Sequence, residues 1–129
     1  EVFKTALECD VTEADPGFDD PYDAFWGLVA ADSDLKGMRA WLPDHAKHMS
    51  PHLVDFLARP WTAEELTTSK MTRHAVTNAM AKFMKDYDIL VTPTLAVPPF
   101  PVHTQGPEKI NGTIVHPVKW LCFTFIANM

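Results

Sequence analysis

The chain has 129 residues, of which 47% are apolar and 22% charged, the balance of a single domain able to bury a core. Its net charge of −6 argues against nucleic acid as a partner, because neutralising phosphates needs an excess of Lys and Arg. No apolar run approaches the ~20 residues that cross a bilayer. Residues 1–15 carry charges such as Glu1, Lys4, Glu8 and Asp10 where a signal peptide would be apolar. With Cys9 and Cys122 far apart and no C-x-x-C pair, a reduced, cytoplasmic protein is expected.

In chain order, residues 2–8 read as the end of a helix and Cys9–Ala14 as a short strand. Eight acids fall within the first 23 residues. They suit either a solvated loop or a tail for a basic partner. Asp19, Asp20 and Asp23 around Pro21 are capping and first-turn acids for a helix running to about Ala31. Its apolar face would be Tyr22, Phe25, Trp26 and Val29. A second helical piece covers about Asp34–Leu42 and is limited by Pro43. Ser50 before Pro51 caps a third, which buries Leu53, Val54 and Leu57.

The clearest element follows. Thr62-Ala63-Glu64-Glu65 is a capping box, flanked by Trp61 and Leu66 at staple positions. From Leu66 an apolar stripe runs through the Arg73 stem, Val76, Met80 and Phe83 towards Met84 and Tyr87, predicting a helix of roughly 20–24 residues. Asp86-Tyr87-Asp88 breaks it. Ile89-Leu90-Val91-Thr92 then reads as a short buried strand ended by Pro93. Six of the last 37 residues are proline, which makes an extended loop of the stretch to Pro107. Asn111-Gly112 between β-branched residues signals a tight hairpin. Val118–Ile126 is apolar enough for a strand or a buried helix, and periodicity does not separate the two.

No catalytic constellation is visible. His45, His48 and His52 have helical metal-ligand spacing, but Pro51 interrupts them and no Cys or carboxylate pair completes a site. Ser33, Ser50 and Ser69 lie in no G-x-S-x-G elbow, and Ser33-x-x-Lys36 lacks its companion motifs. Cys9 and Cys122 have no nearby His to lower a thiol pKa and read as small buried apolar residues. Five scattered glycines form no phosphate loop, and Asn111-Gly112-Thr113 reads as a turn rather than a glycan site. No metal or cofactor is expected.

The stretch Phe83-Met84-Lys85-Asp86-Tyr87-Asp88-Ile89-Leu90-Val91-Thr92-Pro93-Thr94 resembles the C-terminal part of amidase signature enzymes, where a long helix leads to a Tyr-Asp strand ending in Thr-Pro-Thr. Ala6–Pro16 is similar to that family's helix–strand passage, with Cys9 where Gly is common. The helix opened by Thr62 and carrying Arg73 matches another. Phe123-Thr124-Phe125-Ile126-Ala127-Asn128 is similar to a third, stopping before its Gly-Pro. Residues 62–129 carry most of the likeness, whereas residues 17–60 match in layout alone.

The resemblance implies an α/β parent fold, a mixed sheet flanked by helices, of which this chain would be a helix-rich α+β piece with few short strands. It implies hydrolysis of carboxylic amides, not peptide bonds, through an acyl-enzyme formed on a Ser–cis-Ser–Lys set. Those residues belong to a Gly/Ser-rich segment that this chain lacks, so no catalytic residue is carried over. The absent initial Met and the apolar end agree with a single C-terminal portion, residues 1–129, missing the nucleophile-bearing N-terminal part and inactive alone. By the same resemblance Thr92, Pro93, Thr94, Phe100, Trp120, Phe123, Thr124 and Asn128 would line the substrate funnel. Core packing explains Trp120 and Phe123 equally well, and a backbone bond would account for Asn128. The missing neighbours should leave apolar patches and strand edges open to self-association. Two other readings stand beside this one: a non-catalytic helical binding or scaffold module, and a piece of an amidotransferase A subunit.

Overall fold

The computed structural model describes residues 2–129; Glu1, one of the opening acids, lies outside them. Seven α-helices, three short 3₁₀ turns and one small hairpin make up the regular structure of the described residues. This is the helix-rich α+β arrangement expected from the sequence. The helices are α1 (Val2–Thr5), α2 (Tyr22–Asp32), α3 (Leu35–Arg39), α4 (Leu42–His45), α5 (Pro51–Ala58), α6 (Ala63–Phe83) and α7 (Cys122–Phe125). Strands β1 (Lys109–Ile110) and β2 (Thr113–Ile114) pair antiparallel, with Lys109 opposite Ile114.

Helix α6 forms where local chemistry demands it. Glu65 accepts from the Thr62 amide at 2.8 Å while the Thr62 hydroxyl accepts from the Glu65 amide at 3.1 Å, so two of the orphan donors are satisfied. Arg59 adds an ion pair to the same carboxylate at 2.6 Å. These bonds pull the Glu65 carboxyl down to about 2. No Gly or Pro interrupts the 21 residues that follow, and Lys82 suits the negative end of the dipole. Ser50 caps α5 by accepting from the Leu53 amide at 3.3 Å, with Pro51 in the first turn. Arg39 then holds the last carbonyls of that helix, donating to Leu57 O and Arg59 O at 2.6 Å each.

The core lies where α2 crosses α6. Gly27 sits so close to α6 that a Cβ there would overlap the Ser69 hydroxyl, and Ser69 itself is buried with its hydroxyl bonded to Glu65 O at 2.8 Å. Leu28, Ala30 and Val76 are buried at this seam, and Leu57 of α5 is fully buried. The expected face of α2, Tyr22, Phe25, Trp26 and Val29, is half-buried. It meets the C-terminal segment: Phe25 stacks on Phe125 with centroids 4.2 Å apart, and Trp26 reaches Phe56 of α5 at 5.9 Å. Helix α2 is therefore buried on two sides, not one.

Several local expectations change. Cys9–Ala14 and Ile89–Thr92 are loop, because a strand needs a neighbour to take up its amides and none lies beside either segment among the described residues. Cys9 is exposed rather than buried, and both thiols are free. Pro43 does not end a helix; it occupies the first turn of α4, where its missing amide costs nothing. The Val118–Ile126 tract resolves as helical turns, with 3₁₀ segments Lys119–Leu121 and Ile126–Asn128 flanking α7. Asn111 and Gly112 both take positive φ, +50° and +80°, as a tight primed hairpin turn requires.

Two outcomes follow from this packing. Gly27→Ala should lower unfolding free energy by about 1–3 kcal/mol in urea titrations, although Ala is the better helix former. Adding Ser69→Ala should recover only part of that loss, since the Ser69 Cβ would also lie within 2.8 Å. Acid titration should expose the capping box separately. Its contribution is complete above pH 4.5 and is lost as pH falls through about 2; Glu65→Gln should flatten stability across that window.

Candidate functional site

Two concave regions flank the α2–α6 core. The first is an apolar groove of about 570 Å³ on the C-terminal half of α6. Val76, Met80 and Met84 form its floor. Leu90 and Thr92 enter from the loop, and Phe123, Ile126 and Met129 from the C-terminal turns. Beside it Ile89 is 70% exposed and Val91 63%. The strip and the groove together form one contiguous exposed apolar surface.

The residues singled out by the resemblance divide into four groups. Thr92 and Phe123 come together in the groove. Phe100 and Trp120 instead pack edge to face with centroids 5.0 Å apart. Trp120 donates from Nε1 to Gln105 O at 2.9 Å, and its carbonyl accepts from the Ala96 amide at 3.0 Å. Gly106 is needed there, since a Cβ would lie 2.5 Å from the Trp120 ring. Thr124 and Asn128 bond locally: the Thr124 hydroxyl donates to Leu121 O, and the Asn128 amide to Thr124 O. Pro93 and Thr94 are exposed on the loop that leaves the groove.

The second region, about 290 Å³, was not legible in the sequence. Tyr22 and Trp26 of α2 form one wall, Phe56 of α5 and Trp61 the other. His52 and His116 close one end with ring centroids 5.1 Å apart. The spacing of His45, His48 and His52 therefore served no common site; α4 and α5 are separate helices, and His52 meets a histidine 64 positions on instead. Among the described residues no group of three or more His, Cys, Asp or Glu side chains could hold a metal ion. Burial depresses the His116 pKa, and the neighbouring His52 adds to the effect. Burial also raises Tyr22. The signal that sequence reading lacked is long-range: residues 22, 52 and 116 become neighbours only after folding.

Two ion pairs frame this cleft. Asp20 binds Lys119 at 2.5 Å, which raises the Lys119 pKa, and Lys119 lies 5.3 Å over the Tyr22 ring. One acid of the opening run is thereby engaged in an ion pair at the surface. Arg59 pairs with Glu65 and lies 4.1 Å over Trp61.

No family model matches the chain, and no solved structure matches it. The chain is similar to an acylamidase of Rhodococcus erythropolis, at 26% identity over 132 aligned residues. The alignment takes in 95% of this chain and 27% of that protein, so the chain spans about a quarter of the curated relative's length. The relationship is distant and partial, of the general kind that the amidase-signature resemblance implies. No helix among the described residues is long and apolar enough to cross a membrane.

The depressed pKa of His116 sets a pH dependence. Folding favours its neutral form, so stability is complete above the ordinary histidine value of about 6.5 and falls as pH drops through the lowered pKa. Thermal midpoints measured across that range should decline with acidification, and His116→Gln should remove part of the slope.

Proposed function

We propose that this chain is the C-terminal portion of a larger amidase that hydrolyses carboxylic amides, contributing packing surface and part of the substrate funnel. The observation that carries the reading is the alignment of nearly the whole chain with about a quarter of an acylamidase. The exposed Ile89 and Val91 beside the apolar groove support it physically, because a missing remainder of the same fold would cover them. Hydrolysis then proceeds through an acyl-enzyme on a Ser–cis-Ser–Lys set supplied by the absent part. Within this chain Thr92 and Phe123 are the funnel residues that the groove geometry favours. Pro93, Thr94, Phe100, Trp120, Thr124 and Asn128 border the same passage or hold its backbone. Left uncovered, the apolar strip would drive self-association of the isolated chain.

Intact mass of the natural gene product, followed by an aryl-amide hydrolysis assay, tests this directly. A product several times 14.5 kDa, active on the amide and inactivated by loss of an upstream Ser, is the expected result. Phe123→Ala in that product should raise KM roughly threefold or more with a smaller effect on kcat. A product near 129 residues without amidase activity would overturn the proposal. Salt-sensitive capture of a basic partner by residues 1–23 would then favour the binding-module reading.

A further inference from the structure

The aromatic cleft between α2 and α5 has walls, a charge imbalance and no assigned role. Its walls are Tyr22, Trp26, Phe56 and Trp61, and the carboxylates of Asp23 and Asp55 also line it. Arg59 lines the cleft with its guanidinium over Trp61 and is paired with Glu65, and Lys119, over Tyr22, is paired with Asp20. Among the described residues neither Asp23 nor Asp55 has an ion-pair partner. The cleft thus keeps two carboxylates without a direct ion-pair partner beside the Trp26 and Phe56 rings. Ring faces attract cations through their quadrupole, and weakly hydrated organic cations lose little by leaving water.

We infer that this cleft is a binding site for an organic ammonium cation, held by the aromatic walls and by the Asp23 and Asp55 carboxylates. The size agrees, since about 290 Å³ accommodates a small alkylammonium group. His116, packed against His52, makes occupancy pH-sensitive: neutral, it adds a further ring surface; protonated, it adds positive charge that opposes the cation. The charged and titratable groups facing it are Asp23, Asp55, Arg59, Lys119, His52 and Tyr22. The site is independent of amide hydrolysis and makes no use of the groove on α6.

Calorimetric titration of the full gene product with choline, a permanent cation, tests the inference against its uncharged isostere 3,3-dimethyl-1-butanol. Choline should bind saturably and at least about tenfold tighter than the isostere. Asp23→Asn and Asp55→Asn should each weaken choline roughly three- to tenfold, with circular dichroism confirming an unchanged fold. Asp34→Asn, which lies outside the cleft, should leave affinity unchanged. Affinity should fall as pH drops from about 7 to 5, and His116→Gln should flatten that profile. Equal binding of the isostere would overturn the proposal by reducing the cleft to an apolar cavity. So would absence of saturable choline binding, or full affinity in the Asp23→Asn/Asp55→Asn double variant.

Discussion

The close approach of α2 to α6 is the constraint on which the remaining packing depends. It is possible because Gly27 presents no Cβ and Ser69, directly opposite, turns its hydroxyl back onto the Glu65 carbonyl. A buried hydroxyl satisfied within its own helix costs little, and the backbones can then meet. That seam fixes the direction in which Tyr22, Phe25 and Trp26 leave α2. Phe125 stacks on Phe25, which brings the C-terminal turns back to the first half of the chain. Trp26 Nε1 is buried among these rings with no well-formed hydrogen bond among the described residues, its one polar neighbour being the Tyr22 hydroxyl.

Both concave regions are consequences of this geometry. The aromatic cleft opens on the side where α2 diverges from α5, and the apolar groove opens where α6 continues beyond the seam towards Met84. Their chemistry differs because their residues do. The groove is lined almost wholly by aliphatic, thioether and phenyl groups, while the cleft mixes rings with carboxylates and imidazoles. A purely apolar groove stabilises whatever excludes water from it, without selecting charge. A mixed cleft selects by charge as well as shape.

Features governed by neighbours in sequence were readable from the residues. The Thr62–Glu65 capping box, the Ser50 cap and the Asn111-Gly112 turn each depend on groups one to three positions apart, and each formed as expected. Ile89–Thr92 did not. Its β-branched composition marks a preference for extended backbone, but a strand also needs partners for its amides, and residues 84–108 supply none. Thr92 and Phe123 show the same division: far apart in sequence, they meet in one groove because the C-terminal turns fold against α6.

The sequence by itself determined the helix-rich character, the starts of α5 and α6 and the hairpin, because capping and turn chemistry act over a few bonds; the end of α6, expected near Asp86, falls at Phe83. It also carried the likeness to amide-hydrolysing proteins through the order of its motifs. Only the tertiary structure decided that α2 is buried on two faces, that Val118–Ile126 is helical and that His52 faces His116. Those outcomes rest on contacts between residues separated by tens of positions. Burial and packing at such distances arise from the whole chain, and no local preference encodes them.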